Sequence, residues 1–235
     1  MMKRLLILNS KGGCGKTTIA TNLAGYYASS GTPTALVDND PQGSSKQWLD
    51  LRPQKLSVIH GVFAGKPTPG GVTSSFQRRV PAETRRAIID TPASMKKLEM
   101  QDLLRSASAV IVPLLPSAID RHVTLDFLQE LSTLCRQMSL KIPIGIVANR
   151  VRLNTRSFKQ LREMLVESEI PLVAYLRDTQ RYVHAAEEGC SVTELKPPLQ
   201  KQELLQWTAL VYWLESGRIP PHMDRIESES STLPV

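Results

Sequence analysis

The sequence predicts an α/β fold: a single phosphate-loop domain whose largely parallel, twisted sheet carries helices on both faces. Three observations predict it. Short, continuous apolar runs recur between amphipathic segments, as buried parallel strands do. A glycine-rich stretch, Ser10-Lys11-Gly12-Gly13-Cys14-Gly15-Lys16-Thr17-Thr18, joins the first of these runs to the first helix, and acids end later ones at Asp38 and Asp90. Strands that alternate with helices require crossover connections, which place helices over both faces of one parallel sheet.

The first strand is Lys3 to Asn9, apolar from Leu5 to Leu8, and the first helix runs from about Lys16 to Ser30, where Ile19, Leu23 and Tyr27 recur at helical spacing and Gly31 and Pro33 close it. Thr34 to Asp38 forms the second strand, and Lys46 to Leu51 a short helical piece bearing Trp48. Between Arg52 and Glu83 the glycines and prolines predict a turn-rich excursion, with a brief strand at Leu56 to Ile59. Ala87 to Asp90 is the next core strand, followed by a helix from about Lys96 to Ser106 and the strand Ala109 to Pro113. The longest helix is expected from Ile119 to Met138, with Leu125, Leu128, Leu131 and Leu134 on its buried face. Then come a strand at Ile144 to Asn149, a basic helix at Thr155 to Glu167, a strand at Leu172 to Leu176, and helices at Tyr182 to Glu188 and Gln202 to Glu215.

With 235 residues, 41% of them hydrophobic, the chain suffices for one sizeable core. The domain is expected over 1–216, and 217–235 reads as a polar, disordered tail containing Pro220-Pro221 and a run of serines and glutamates. No run approaches the roughly eighteen apolar residues of a membrane span. Met1-Met2-Lys3-Arg4 leads straight into a strand instead of a signal sequence, so the expected location is cytoplasmic. Cys14, Cys135 and Cys190 show no paired spacing, which argues against a disulfide framework or a zinc cluster. A formal net charge of +7 suits an anionic partner such as nucleic acid, and suits equally a solvated basic surface.

Glycines let successive backbone N–H groups curl around a phosphate while the following helix directs its positive end at it. Lys16 is placed to reach terminal phosphates and the Thr17 hydroxyl to take Mg2+. Asp90, ending an apolar strand well downstream, stands where such a site keeps a second magnesium group. One lysine would neutralise the phosphates, so the neighbouring Lys11 either has a role of its own or is a solvated surface residue.

This loop resembles that of the deviant Walker family, which includes ParA, MinD and the nitrogenase iron protein. The resemblance extends to Asp38-Asn39-Asp40-Pro41-Gln42-Gly43 and to Asp90-Thr91-Pro92, and reaches about residue 192. It implies a nucleotide site formed by Lys11, Gly12, Gly13, Cys14, Gly15, Lys16, Thr17 and Thr18, with ATP and Mg2+ as ligands. It also implies that Lys11 crosses a dimer interface to the partner's nucleotide, that Asp40 positions the attacking water, and that Asp38 supports the magnesium shell. Lys11, Lys16 and Asp40 would then be the catalytic set, and Thr17, Asp38 and Asp90 the metal set. Asn149, in Asn149-Arg150, resembles the adenine-reading asparagine, while as a bare sequence feature it could equally close a turn. Arg177 and Asp178 fall where the family has a turn beside the base, although the usual proline is missing.

Trp48, Arg181-Tyr182-Val183 and Glu188-Gly189 resemble compact ParF-type members of the ParA branch. That resemblance implies an ATP-driven homodimer that binds DNA without sequence preference on the nucleoid. A ParB-like protein or cargo adaptor would stimulate hydrolysis. Arg150, Arg152, Arg156, Lys159 and Arg162, with Lys196 and Lys201 further on, are the candidate phosphate-backbone contacts, and each could also be a solvated charge. Three alternatives share the loop: a MinD-like membrane-associated ATPase, a metal-cluster carrier, and a small-molecule ATP-dependent synthetase. The helix bearing Trp207, Leu210, Val211, Trp213 and Leu214 reads as core and not as a membrane anchor.

Overall fold

A computed structural model describes residues 1–63, 80–117, 121–166, 168–197 and 201–219. Seven parallel strands form one sheet in the order β3-β2-β4-β1-β5-β6-β7, with β1 at Lys3–Ile7, β2 at Thr34–Asp38, β3 at Ile59–Phe63, β4 at Arg86–Asp90, β5 at Ala109–Leu114, β6 at Ile144–Val151 and β7 at Leu172–Arg177. The helices are α1 (Lys16–Ser29), α2 (Ser44–Asp50), α3 (Lys97–Ser106), α4 (Arg121–Gln137), α5 (Arg156–Val166), α6 (Arg181–Glu187) and α7 (Lys201–Ser216), with a 3-10 turn at Val192–Glu194.

The sheet is buried on both faces, which explains why its strands read as continuous apolar runs. Leu5 and Ile7 pack on one side with Ile19, Leu23, Trp48, Leu210 and Trp213. Leu6 and Leu8 face the other side with Leu104, Phe127, Leu131, Phe158 and Leu161. Helix α1 is buried nearly all round because the sheet lies on one flank and α2 and the 3-10 turn on others. Trp207 is wholly buried and Trp213 nearly so, which makes α7 a core helix as expected. Among the described residues no helix is long and apolar enough to cross a membrane.

One expected strand is displaced. Leu56 closes a turn onto the Pro53 carbonyl and Val58 lies 86% exposed, so pairing with β2 begins only at Ile59, opposite Thr34. Part of the expected excursion is therefore an edge strand. Its remainder at 64–79, the start of the helix expected from Ile119, and the tail from 220 lie outside the described residues. Strand β6 continues past Asn149 to Val151, with a register irregularity between Ala148 and Val151.

Parallel pairing sets Asp38 directly beside Asp90, and Asp90 beside Ile7, the last residue of β1. The carboxyl ends of β1, β2 and β4 thus bring the loop and both acids to one edge, the edge at which α/β sheets bind ligands.

Candidate functional site

The loop between β1 and α1 is held at both ends by asparagines. Asn9 donates to the Pro113 carbonyl at 2.7 Å and accepts the Lys11 N–H at 2.9 Å. Asn149, near the end of β6, donates to the Cys14 carbonyl at 3.0 Å. Gly15 adopts φ 98°, and a Cβ there would lie 2.0 Å from the Asn149 amide nitrogen, so glycine is required twice over. Gly12 and Gly13 are exposed at the mouth. Among the described residues no side chain caps the α1 N-terminus, so its first N–H groups are available to an anion. Lys16 is 7% exposed and its Nζ lies 2.9 Å from the Lys11 carbonyl, spanning the loop where it would meet phosphate. Burial pushes the Cys14 thiol above its ordinary pKa, so this residue is a small neutral filler, donating its S–H to the Lys11 carbonyl.

Asp90 is almost wholly buried. Its Oδ2 accepts the Thr17 hydroxyl at 2.8 Å and the Ser45 hydroxyl at 2.7 Å, while its Oδ1 is buried without a partner among the described residues. Burial raises its pKa to about 6; the Ser45 and Thr17 hydrogen bonds oppose that shift, and the neighbouring Asp38 adds to it. An orphaned carboxylate oxygen beside a threonine hydroxyl is the donor set that a hard cation completes, so Thr17 and Asp90 fit Mg2+. Asp38 is also buried, which raises its pKa, and it accepts the Asp40 N–H at 3.0 Å and the Lys46 N–H at 2.9 Å. With both oxygens occupied by backbone, Asp38 shapes the loop that carries Asp40. Asp40 is half-exposed and accepts the Gln42 N–H at 3.0 Å.

The other predicted residues are distributed as follows. The Asn149 Oδ1 accepts the N–H of Arg150, whose φ of 52° is rare for a residue with a side chain. Arg177 donates its N–H to Gln206 and its guanidinium to Gln202, both on α7. Asp178 pairs with Arg152 at 2.7 Å. Arg152, Arg156 and Lys159 are exposed and Arg162 half-buried, around the start of α5. Lys196 and Lys201 are also exposed, but α5 packs on the face of Leu6 and α7 on the face of Leu5, so these two stand across the sheet from the α5 group. Cys135 and Cys190 are buried in opposite cores.

Sequence reasoning missed what fastens α2. Ser45 reaches Asp90 at one end of this helix; at the other, Trp48 donates to the Cys190 carbonyl at 3.3 Å and Arg52 forms a two-bond ion pair with Glu194. The signal available was Ser45 itself, a hydroxyl one turn beyond the acidic loop.

Residues 5–192 match the model of the CobQ/CobB/MinD/ParA nucleotide binding domain. The chain is 26% identical over 194 residues to the maintenance of carboxysome distribution protein A of Halothiobacillus neapolitanus, covering 81% of this chain and 87% of that protein. Its fold superposes on a plasmid partition protein of Borrelia burgdorferi bound to AMPPNP with a TM-score of 0.67, at 17% identity, covering 90% and 99% of the two chains. It superposes on the septum site-determining protein MinD of Pyrococcus horikoshii, complexed with Mg-ADP, with a TM-score of 0.62 at 16% identity, covering 88% and 94%.

Proposed function

Because the chain belongs to the CobQ/CobB/MinD/ParA nucleotide-binding family, we propose that it is a Mg2+-dependent ATPase that positions or segregates a cargo. In this reading it pairs with a second copy on binding ATP and then holds DNA without sequence preference. An adaptor protein stimulates hydrolysis and so releases it. The observation that carries the proposal is the convergence of Lys16, Thr17, Asp90 and the Asp38–Asp40 loop on one sheet edge. The name of the Halothiobacillus relative supports a cargo-distribution role, with a large protein assembly as one form the cargo takes.

The uncapped α1 N-terminus and the loop N–H groups bind the polyphosphate, and Lys16 transfers its hydrogen bond from the Lys11 carbonyl to a terminal phosphate oxygen. Thr17 and Asp90, with Asp38 behind them, would hold Mg2+, which when bound supplies charge neutralisation to the phosphates. Asp40 stands at the half-exposed lip, where it can orient water in line with the scissile bond. Lys11 of each copy would reach the nucleotide of the other, adding positive charge as the transition state develops. Arg152, Arg156, Lys159 and Arg162 offer a strip of cations for DNA phosphates, with Lys196 and Lys201 as a second, separate patch. The corresponding location is cytoplasmic, on the nucleoid.

Co-sedimentation with DNA of unrelated sequences tests this reading. Retention with ATP, loss with ADP, and a steep decline with salt are expected. Binding indifferent to nucleotide, or ATP-dependent binding to anionic vesicles in place of DNA, would overturn it.

A further inference from the structure

We infer that Asn149 is a positioning residue of the phosphate loop itself, setting affinity for the polyphosphate chain whatever base is attached to it. The inference rests on the nucleotide-site reading above and adds a role separate from reading a base. A trans peptide unit holds its C=O and N–H in opposite directions. Because the Cys14 carbonyl is anchored on the Asn149 amide at 3.0 Å, the Gly15 N–H of the same peptide is turned to the opposite side of the loop, away from Asn149. That N–H is one of the donors a phosphate needs.

The arrangement has no slack. Asn149 is 3% exposed, and its Oδ1 is held by the Arg150 N–H at 3.0 Å, which fixes which end of the amide faces the loop. Any side chain at 15 would collide with the amide nitrogen. Arg150 has a left-handed backbone and lies within the break in β6–β7 register; Asn149 before it is buried and Arg150 exposed. An amide has two hydrogens, and only one is used on Cys14, so bracing the loop leaves the second for another acceptor.

The test compares two ligands, MgATP and magnesium tripolyphosphate, which has no base, by titration calorimetry on the full chain and on Asn149→Ala. The variant should lose about tenfold in affinity for both ligands, because the unbraced Cys14–Gly15 peptide must then be reordered on binding at a cost on the order of one hydrogen bond. Weakened ATP binding with unchanged tripolyphosphate binding would leave only a base contact and overturn the inference, as would no change in either. Asn149→Leu keeps much of the side chain's volume without its donor and adds no charge, and provides the same comparison should the alanine variant fail to fold. If the unmodified chain bound ATP but not tripolyphosphate, the brace would be refuted and the nucleotide site upheld; if it bound neither, both would fall.

Discussion

The hydroxyl of Ser45 lies 2.7 Å from Asp90 Oδ2, the same oxygen that accepts the Thr17 hydroxyl at 2.8 Å. A residue of α2 and a residue of α1 are thereby joined through one carboxylate. Ser45→Ala removes a buried hydrogen bond to that acid, and a loss of about 1.5–3 kcal/mol is the usual range for a charged partner. We expect the Mg2+ concentration for half-maximal ATPase activity to rise and kcat to fall several-fold with little change in KM. Steady-state assays at varied Mg2+ check this, and unaltered Mg2+ dependence would dismiss Ser45 as a positioning group.

Lys11→Ala should still bind nucleotide but no longer dimerise with ATP, as read by sedimentation velocity. Normal ATP-dependent pairing would remove Lys11 from the interface.

Asp40→Ala should trap the ATP-bound pair on DNA, with phosphate release reduced about 100-fold or more, the scale on which losing a water-positioning group acts. Wild-type turnover in this variant would reassign the water to another residue.

Arg52 and Glu194 have side chains only 5% and 3% exposed. Arg52→Met leaves Glu194 buried and uncompensated, a change that costs about 3–5 kcal/mol in comparable pairs. Urea denaturation should show that loss, and the double variant Arg52→Met with Glu194→Gln should recover part of it. Full additivity of the two changes would mean that the pair does not couple.

Glu215, near the end of α7, accepts hydrogen bonds from Lys3, Tyr27 and Arg86. Burial alone would raise its pKa, but these donors outweigh it and bring the value from an ordinary 4.5 down to about 2. A depressed carboxylate stabilises the fold fully above pH 4.5 and loses that effect as pH falls through about 2. The melting-temperature gap between wild type and Glu215→Gln should therefore be widest above pH 4.5 and close towards pH 2. With the side chain 34% exposed, salt should narrow it further. A gap that did not vary with pH would assign the effect to packing.

Most of the sheet was legible because a strand buried on both faces must be written in apolar residues, as Leu5-Leu6-Ile7-Leu8 and Val110-Ile111-Val112 are. Edge strand β3 was not, since its outer side needs no apolar pattern and Val58, which looks like strand, is solvent-exposed. At the site, the glycine loop and the strand-end acids stood out because their chemistry leaves few alternative residues. The Ser45–Asp90 bond and the anchoring of Cys14 by Asn149 depend on pairs 45 and 135 residues apart, which no local pattern records. The split of the basic residues between two faces was equally invisible, because positive charge carries no mark of which side of a sheet it will reach.

Trp48 and Arg52 fasten the far end of α2 to residues 190–194, and within that segment the Val192 N–H is bonded at 2.7 Å to Asn22 of α1. Ser45 and Asp90 close the circuit back to Thr17. The helix behind the glycine loop and the helix behind the acids are therefore linked along two separate routes. Between the two fastened helices runs the short span from Asn39 to Gly43, whose glycine sits at φ 67°. Asp40 rides on that span, so its place at the lip is set by what holds both helices.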